Sequence, residues 1–556
     1  LNDFNIIVGG NINISTSAAN QDKGYGIKQE LGSDNFLKSS LVYNTGRMDN
    51  GYAFSASLQR KVGNGWVDAT WTDAYAYFFT LNKSFGDHSI DVALLGAPQQ
   101  HGQRDGDNIH AEKYTYTEGG IAEERGWGSY SDYKTEYGDE DYRQLNFGGS
   151  GSGWGYVSAE NAESIKMGTD ESLDGISDML FGGIQHTKKV GDKWIINNRT
   201  NYYHKPVYNL NHNWKINDQM SLSSVLYGSN GRGGGTGPLN SRGNFLGPDG
   251  EVRYYKYINP AHDENGLYQW DDLISWNRSD WDTDGSNGVG DADYISDEYR
   301  SKAIIRASVN HHDWYGVISN LKYKDLVPDV TVTTGIDLRS YKGEHYREVV
   351  NLLGGDYYVG YADDNWSTNA DKVRRIGDKV AYHNIGYNNW MGGFLQAEYS
   401  KDALSAFFSA AGSNTTYQRE DFFNYTDDSG DQLSEKASYP GSAIKVGANY
   451  NINENMNVFA NVGALSVAPN FRSVYLNYNN TVNPEAKNEK VNSVEFGFGY
   501  VNPSLVLFGM NMNVQTNINL YNTNWQDKQI VRTQDDFIYN ITGVNAVHKG
   551  LEIEGS

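Results

Sequence analysis

The sequence predicts an all-β fold, a transmembrane antiparallel β-barrel, and three observations support this prediction. Apolar and polar residues alternate along many segments, the connections between these segments are either very short or very long, and aromatic residues recur just before the short ones. A segment that alternates with a period of two forms a strand with one apolar face. In a membrane barrel that face meets lipid, and the long loops project from one end only.

The composition fits one large barrel as well as several globular domains. The chain has 556 residues, 62 glycines, 41 tyrosines, no cysteine and a formal net charge of −23. The lack of cysteine excludes a disulfide framework and cysteine-ligated metal sites. The negative charge argues against a nucleic-acid partner, because phosphate binding needs patches of Lys and Arg. The mean hydropathy is −0.65, and no apolar run reaches the roughly 18 residues of a transmembrane helix.

Four segments show the strand alternation most clearly. Their apolar faces consist of Ile444, Val446, Ala448 and Tyr450; Val494, Phe496, Phe498 and Tyr500; Leu404, Ala406, Phe408 and Ala410; and Leu395, Ala397 and Tyr399. A soluble β-sandwich would give the same alternation, so this pattern does not decide between the two architectures.

The lengths of the connections favour the barrel. Short turns are predicted at residues 86–88, 217–219, 401–402, 453–455 and 502–504, and long loops at 98–180, 230–300, 342–389 and 414–442. A soluble domain rarely carries so many long loops. The residues Phe85, Trp214, Tyr399, Tyr450 and Tyr500 each precede a short turn, as the aromatic girdle at one membrane interface requires.

Motifs near the end of the chain point to one family. Residues 466–472 read Ser-Val-Ala-Pro-Asn-Phe-Arg, residues 483–490 read Asn-Pro-Glu-Ala-Lys-Asn-Glu-Lys, and the strand 491–500 follows. Residues 545–552 contain Asn-Ala followed by Gly-Leu-Glu. This order of motifs resembles the barrel of TonB-dependent outer-membrane receptors, and residues 8–14 resemble the last strand of the family's plug domain. The segments 96–102 and 351–355 resemble receptors from the Bacteroidota.

The resemblance implies a domain organisation, a location and partners. Residues 1–18 would be the C-terminal end of a plug, and residues 19–556 a barrel with long extracellular loops. About sixteen strands of a barrel of about 22 would lie in this chain, with the C-terminal strands missing. The location would be the outer membrane of a Gram-negative bacterium. The partners would be TonB, through an N-terminal segment outside this chain, together with outer-membrane lipid and an extracellular small-molecule substrate. A surface lipoprotein is a further candidate partner.

The same resemblance implies active import of a scarce nutrient, not catalysis. A ferric siderophore is the first expectation because the family most often carries one; cobalamin, glycan and peptide are the alternatives. Residues 470–482 contain no His, which argues against haem as the substrate. A passive porin or a surface adhesin is the alternative from another class of protein, although an ungated porin would not need the plug-end strand at 8–14. A secreted all-β enzyme would need a convergent pair of carboxylates and would not explain the one-sided loops.

One loop motif predicts a structural calcium site. Residues 280–291 read D-x-D-x-D-G-x-x-x-x-x-D, and Ca²⁺ prefers six to eight oxygen ligands. The glycine at the sixth position permits the tight turn that brings such ligands together. The predicted ligands are Asp280, Asp282, Asp284, Ser286 through its carbonyl, and Asp291. The alternative is an acidic, solvated loop.

Three other patterns are assigned no chemistry. The glycine-rich residues 228–237 are predicted to begin a flexible loop, because no helix follows to complete a phosphate cradle. His311 and His312 are neighbours on a strand, so they should point to opposite faces and not share a ligand. Asp105, Asp107 and His110 are interpreted as a solvated acidic surface.

Overall fold

A computed structural model describes residues 17–66, 69–103, 154–165, 175–184, 187–190, 192–240, 244–246, 252–254, 270–278, 291, 293–360, 363–507, 509–534 and 537–556. Its strands are Gly24–Leu31 (β1), Leu37–Asn44 (β2), Tyr52–Gly63 (β3), Thr72–Phe85 (β4), His88–Gly96 (β5), Gln99–Gly102 (β6), Trp154–Val157 (β7), Thr187–Val190 (β8), Lys193–Asn197 (β9), Thr200–His204 (β10), Val207–Lys215 (β11), Met220–Asn240 (β12), Asn244–Leu246 (β13), Val252–Tyr254 (β14), Ala303–Val327 (β15), Val330–Asn351 (β16), Tyr358–Val359 (β17), Val373–Arg374 (β18), Lys379–Lys401 (β19), Leu404–Asp421 (β20), Ala437–Asn453 (β21), Met456–Val467 (β22), Glu489–Leu507 (β23), Met510–Gln534 (β24) and Phe537–Gly555 (β25).

The helices are short and few among these residues. They are Ala159–Ser164 (α1), Gly175–Phe181 (α2), Trp270–Asn277 (α3) and Phe471–Val474 (α4), with 3-10 turns at Ala18–Asn20, Ala370–Lys372 and Leu476–Tyr478. None of the described helices is both long enough and apolar enough to cross a membrane.

Eighteen strands form one sheet, which is the wall of the molecule. Every described pair in it is antiparallel, and the order follows the chain from β1 to β5, then β11, β12, β15, β16 and β19 to β25. The short strands β6 and β10 continue β5 and β11 beyond breaks at Pro98 and Pro206. Proline donates no backbone hydrogen bond, so it interrupts a ladder in this way. The described wall is therefore sixteen strands wide, as predicted.

The register places the predicted apolar faces on one side of the wall. Val446 lies opposite Phe408 on one neighbour and Val462 on the other, and Val462 lies opposite Val494. The exposed fraction of Val446 is 48% and that of Phe496 is 55%. A continuous apolar surface of this kind on the outside of a wall is typical of a membrane barrel.

On β12 and β15 a row of polar side chains ends the apolar surface on the side away from the short turns. The amide of Asn230 donates to Asp313 Oδ1 at 2.7 Å, and Arg232 Nη1 donates to the same oxygen at 2.9 Å. We call the outward apolar face between the short turns and this row the belt. Below it, Phe85, His88 and Trp214 stack in sequence, with ring centroids 5.3 and 5.4 Å apart.

Four of the five predicted short turns are confirmed, and one is wrong. Turns join β4 to β5, β11 to β12, β19 to β20 and β21 to β22 at the predicted positions. Residues 502–504 instead lie inside β23, where the register shifts between Asn502 and Leu505. Pro503 cannot donate to the ladder, so it causes an irregularity there without ending the strand. Tyr500 is still opposite Met456, the first residue of β22, which keeps its ring near the short-turn end.

The predicted long loops are shorter than expected because strands continue into them. β16 extends to Asn351 and β19 begins at Lys379, while β20 extends to Asp421 and β21 begins at Ala437. The glycine-rich residues 228–237 likewise belong to β12, so the expected loop start there is wrong. Beyond the belt both faces of the wall meet water or other segments, and the alternation that marks a half-buried strand fades.

Glycines in these extensions allow close packing. A Cβ at Gly233 would lie 2.6 Å from the Cβ of Tyr203, so only glycine lets β10 lie this near to β12. On the inward face, the ring of Phe407 covers Gly447, and the ring of Phe459 covers Gly497. Such pairs protect a glycine in a strand with a neighbouring aromatic ring.

We call the strand extensions beyond the polar row, with the segments packed on them, the crown. One of its apolar clusters joins α1, α3, β15 and the turn after β16 through Ala162, Ile274, Ile305 and Leu353. At its centre the fully buried Asn277 amide donates to the carbonyls of Ala303, Leu352 and Leu353 at 2.8, 3.2 and 3.0 Å. The same side chain accepts from the backbone of Lys302 and Ala303.

The first described residues lie against the inward side of the wall. Ser17 Oγ donates to Asp91 Oδ1 at 2.6 Å, and Ala18 is buried. Of the predicted plug end at 1–18, residues 1–16 lie outside the described residues, so that domain boundary stays a prediction.

Candidate substrate cavity

A cavity of about 880 Å³ opens on the inward side of the wall near the crown. Side chains of β15, β16, β19 and β20 form one side of it, and α4 with the residues that follow forms the other. Its position on the inward face follows from the register, which aligns Asn310, His345, Asn384 and Asp421 across the four strands.

The motif at 466–472 builds the second side of the cavity. After β22 the chain turns inward, and the Asn470 side chain accepts from the backbone of Ser473 at 2.9 Å, which caps α4. The hydroxyl of Tyr417 donates to the Pro469 carbonyl at 2.8 Å. Phe471 packs edge-on against Tyr417, and a Cβ at Gly386 would lie 3.1 Å from its ring. The motif therefore fixes α4 against the wall.

The second motif, at 483–490, lies at the end of the connection between β22 and β23 and anchors that connection where it joins β23. The Asn483 amide donates to the Ser473 carbonyl at 2.9 Å. Glu489 accepts from the indole of Trp525 at 2.9 Å and from the backbone of Gln529 at 3.0 Å. Lys487 forms an ion pair with Asp527 at 2.7 Å. These contacts hold the two ends of the connection, so the residues between them are presented to the cavity.

The connection carries a strained turn. Asn477 and Tyr478 have φ angles of 52° and 58°, a left-handed conformation that residues other than glycine rarely adopt. The next residue but one, Asn480, holds the turn: its side chain accepts from Arg419 at 2.7 Å and donates to the carbonyls of Asp431 and Gln432. As a result, Tyr478 lines the cavity with 56% of its surface exposed.

The charged side chains that line the cavity differ in whether a ligand can reach them. Arg419 and Asp421 are buried together and form an ion pair at 2.6 Å, so their charges neutralise each other. Arg472 also lines the cavity, is exposed, and forms no ion pair or hydrogen bond with the described residues. Its guanidinium is therefore a positive group that a ligand can reach.

The remaining polar groups of the cavity are neutral. Burial lowers the pKa of His345, so its imidazole is uncharged at neutral pH, and its Nδ1 lies 2.7 Å from Asn310 Oδ1. Asn384 and Asn388 add amide groups, and Tyr382 adds a phenol. Amides, phenols, aromatic rings and one free cation can bind a bulky polar or anionic ligand by hydrogen bonds, stacking and charge.

The predicted calcium ligands are largely outside the described residues. Asp280, Asp282, Asp284 and Ser286 all lie there, as do Asp105, Asp107 and His110 of the second acidic cluster. Asp291 is described: its carboxylate is buried, forms an ion pair with Arg300, and accepts from the backbone of Asp293 at 3.0 Å. Among the described residues, no three His, Asp or Glu side chains gather closely enough to hold a metal ion.

The prediction that His311 and His312 point to opposite faces of their strand is confirmed. His311 packs edge-on against Tyr346, whereas His312 Nδ1 lies 2.5 Å from the Tyr341 hydroxyl on the other face of β15. Sequence reasoning did not assign Arg472 and Tyr478 to the cavity. The family motif that contains Arg472 was the available signal, but only the fold shows which residues of the connection turn inward.

No family model matches the sequence, and no curated protein matches it. Three solved structures have a similar fold: the ferric-catecholate import receptor Fiu from E. coli K12 in its closed form, the siderophore receptor PiuA from Acinetobacter baumannii, and FpvA from P. aeruginosa bound to a pyoverdine–iron complex. The sequence identities are 12%, 8% and 12%, and the TM-scores are 0.51, 0.49 and 0.49. The matches cover 96%, 96% and 95% of this chain, and 62%, 61% and 53% of the receptors.

The fold argument depends on Fiu, whose TM-score is above one half. The chain spans less than two thirds of that receptor, and at this identity the match concerns architecture alone. The wall of consecutive antiparallel strands, its apolar outward face and the match to Fiu agree with the order of motifs in the sequence. The chain has the fold of the TonB-dependent outer-membrane receptors.

Proposed function

We propose that the protein lies in the outer membrane of a Gram-negative bacterium and imports a scarce nutrient, with a ferric siderophore as the first candidate substrate. The observation that carries this proposal is the cavity on the inward face, which offers Arg472 together with aromatic side chains. Ferric siderophores are bulky, and many are anionic and aromatic, so a free guanidinium beside aromatic rings suits them. The fold of a ferric-catecholate import receptor supports the same substrate class.

In this proposal the chain acts with partners and performs no catalysis. The crown and the cavity would receive the substrate from outside. TonB would act on a plug that precedes the barrel and so open a path through the lumen. The barrel would supply the wall, and selectivity would come from the residues that line the cavity.

The test is ligand binding by the purified full chain in detergent, measured by tryptophan fluorescence with a ferric triscatecholate. We expect saturable binding, which Arg472→Gln weakens about tenfold or more because a charge-assisted hydrogen bond is lost. Tyr478→Ala, combined with Arg472→Gln, should weaken binding of the chelate further. Lys324→Gln is the matched control, since Lys324 is an exposed cation at the short-turn end of β15, and it should bind like the wild type.

Two results would contradict parts of the proposal. Saturable binding of cobalamin or a maltooligosaccharide, with none of the ferric chelate, would exclude the siderophore and keep the importer. Binding of the chelate that is equal in the wild type, Arg472→Gln and Tyr478→Ala would show that the substrate does not use this cavity.

We also propose, on the sequence motif, that residues 280–291 bind a structural Ca²⁺. Asp291 forms an ion pair with Arg300, so calcium binding would exchange a guanidinium for the ion. Asp282→Ala combined with Asp284→Ala should abolish calcium binding measured by calorimetry, and Asp297→Ala, outside the motif, should not. Unchanged calcium binding in the double variant would exclude this site.

A further inference from the structure

A shallow groove crosses the belt on the outward face, just below the polar row. It has a volume of about 830 Å³ and crosses β5, β11, β12, β15 and β16. Leu210, Leu226 and Leu338 lie along it, and each is more than a third exposed. The groove faces away from the substrate cavity, since successive residues of a strand point to opposite sides of the wall.

Small residues deepen the upper end of the groove. Gly228 lies beneath the ring of Tyr315, and a Cβ there would be 2.8 Å from a ring carbon. Ser340 is directly opposite Tyr315 on the next strand. The Tyr315 hydroxyl accepts from the Asn230 amide at 2.6 Å. The groove therefore changes from apolar to polar at Tyr315.

Two cations stand at the polar end. Arg232 uses its Nη1 for Asp313 and for the Gly231 carbonyl, both at 2.9 Å. Its Nε and Nη2 groups have no partner among the described residues, and its side chain is 26% exposed. Lys342 lies opposite Asp313 on β16, is 41% exposed, and is 3.8 Å from Glu344. Asp313 thus fixes the guanidinium and leaves one of its two-donor edges open.

We propose that this groove and the two cations bind a phosphorylated lipid of the surrounding membrane. One acyl chain would lie in the groove, and the phosphate would accept hydrogen bonds from Nε and Nη2 of Arg232 and from Lys342. The apolar lining continues the belt, so hydrocarbon is its natural occupant. The planar edge of a guanidinium matches the spacing of two phosphate oxygens.

Charge complementarity supports this occupant. The chain carries a net charge of −23, so the protein as a whole repels anions. An open arginine edge directly above an apolar groove attracts an anion locally, where the acyl chain adds apolar contact. A free anion would leave the groove empty, and a neutral lipid would leave the arginine edge unpaired. The site is independent of the transported substrate.

The test is native mass spectrometry of the full chain released from a neutral detergent. The probes are dimyristoyl phosphatidic acid, dimyristoylglycerol without a phosphate, and inorganic phosphate. We expect one phosphatidic acid to be retained per protein at concentrations where dimyristoylglycerol is not. Removal of each charge, by Arg232→Gln or Lys342→Gln, should raise the concentration for half occupancy about fivefold. Lys215→Gln, an exposed lysine at the short-turn end, should change nothing.

Ser340→Trp fills the groove and keeps both cations, so it tests the acyl chain separately. It should weaken retention of phosphatidic acid even if Arg232→Gln disturbs the local structure by leaving Asp313 unpaired. Equal retention by the wild type, Lys342→Gln and Ser340→Trp would show only non-specific lipid and overturn the proposal. Equal retention of dimyristoylglycerol, or equally tight binding of inorganic phosphate alone, would also overturn it.

Discussion

The belt and the crown are parts of the same strands, yet different forces hold them. In the belt the outward side chains are apolar and exposed, as for Val446 and Phe496, and the backbone ladder supplies the order. In the crown the same strands bury apolar clusters and side-chain amides such as Asn277. An exposed apolar face defines the belt, whereas contacts between distant segments define the crown. Different interactions can therefore stabilise the two ends of one strand.

The largest expected effect breaks the crown and spares the belt. Asn277→Leu removes one hydrogen bond from each of three carbonyls and two backbone N–H groups, so the free energy of local unfolding should fall by about 3–5 kcal/mol. Hydrogen exchange should accelerate at residues 301–305 and 352–353 while β21 to β23 stay protected. Asn451→Ala, at an exposed site near a short turn, is the control. Unchanged exchange in the crown would show that Asn277 does not hold it together.

A charge in the belt should have the next largest effect. Val446→Lys or Phe496→Lys places an ammonium group in hydrocarbon and should each cost about 2–4 kcal/mol near the midplane. The measurement is reversible unfolding in lipid bilayers. Ser405→Lys is the matched control, since Ser405 pairs with Asn449 on the inward face. If all three variants were equally stable, the assignment of the two faces would be wrong.

The pH dependence of the crown comes third. His383 donates to Glu344 at 2.9 Å and, with burial opposing it, lowers the pKa of that carboxyl from 4.5 to about 2. A depressed carboxyl pKa stabilises the fold above its unfolded value and loses this contribution as the pH falls. The difference in crown stability between wild type and Glu344→Gln should be about 1–3 kcal/mol above pH 4.5 and vanish near pH 2. A difference that is constant down to pH 2 would contradict this role.

The smallest expected effect concerns the connection beside the cavity. Tyr417→Phe removes the buried hydrogen bond to the Pro469 carbonyl and should destabilise α4 by about 1 kcal/mol. Hydrogen exchange of residues 471–475 measures it. Tyr439→Phe is the control, because Tyr439 packs beside Tyr417 with centroids 6.0 Å apart and its hydroxyl has no partner in the described residues. Equal hydrogen exchange in both variants would show that the Tyr417 hydroxyl does not stabilise α4.

Sequence patterns predicted the belt well and the crown poorly. On β20 to β23 one face is apolar and the other polar, which gives strict alternation in the sequence. Val446 and Phe496 were therefore assigned to the same, outward face, where both are exposed. In the crown the packing depends on contacts such as Asn277 with Leu352 and Leu353, some 75 residues away in the chain. Such contacts produce no repeating pattern of apolar and polar residues in the sequence. The strand at residues 228–237 was missed for the same reason. Its glycines allow β10 to lie close to β12 and do not form a loop.

The candidate site was predicted only through its frame. The motifs at 466–472 and 483–490 indicated the family and support the connection between β22 and β23. Phe471 and Arg472 of the first motif also line the cavity, but the motif did not show that they turn inward. The inward position of Arg472 depends on the cap at Asn470, and the exposure of Tyr478 depends on the strained turn held by Asn480. The calcium motif stays a prediction, since four of its five ligands lie outside the described residues.

The rings that cover glycines have a consequence for the shape of the inward face of the wall. A methyl group at Gly447 or Gly497 would meet Phe407 or Phe459 within 2.4 Å, and the ring would have to swing away from the wall. With glycine beneath it, each ring can lie close against the wall, whereas a larger residue there would push the ring inward. These positions therefore decide how far the rings of Phe407 and Phe459 project from the inward face of the wall, although none of them lines the cavity.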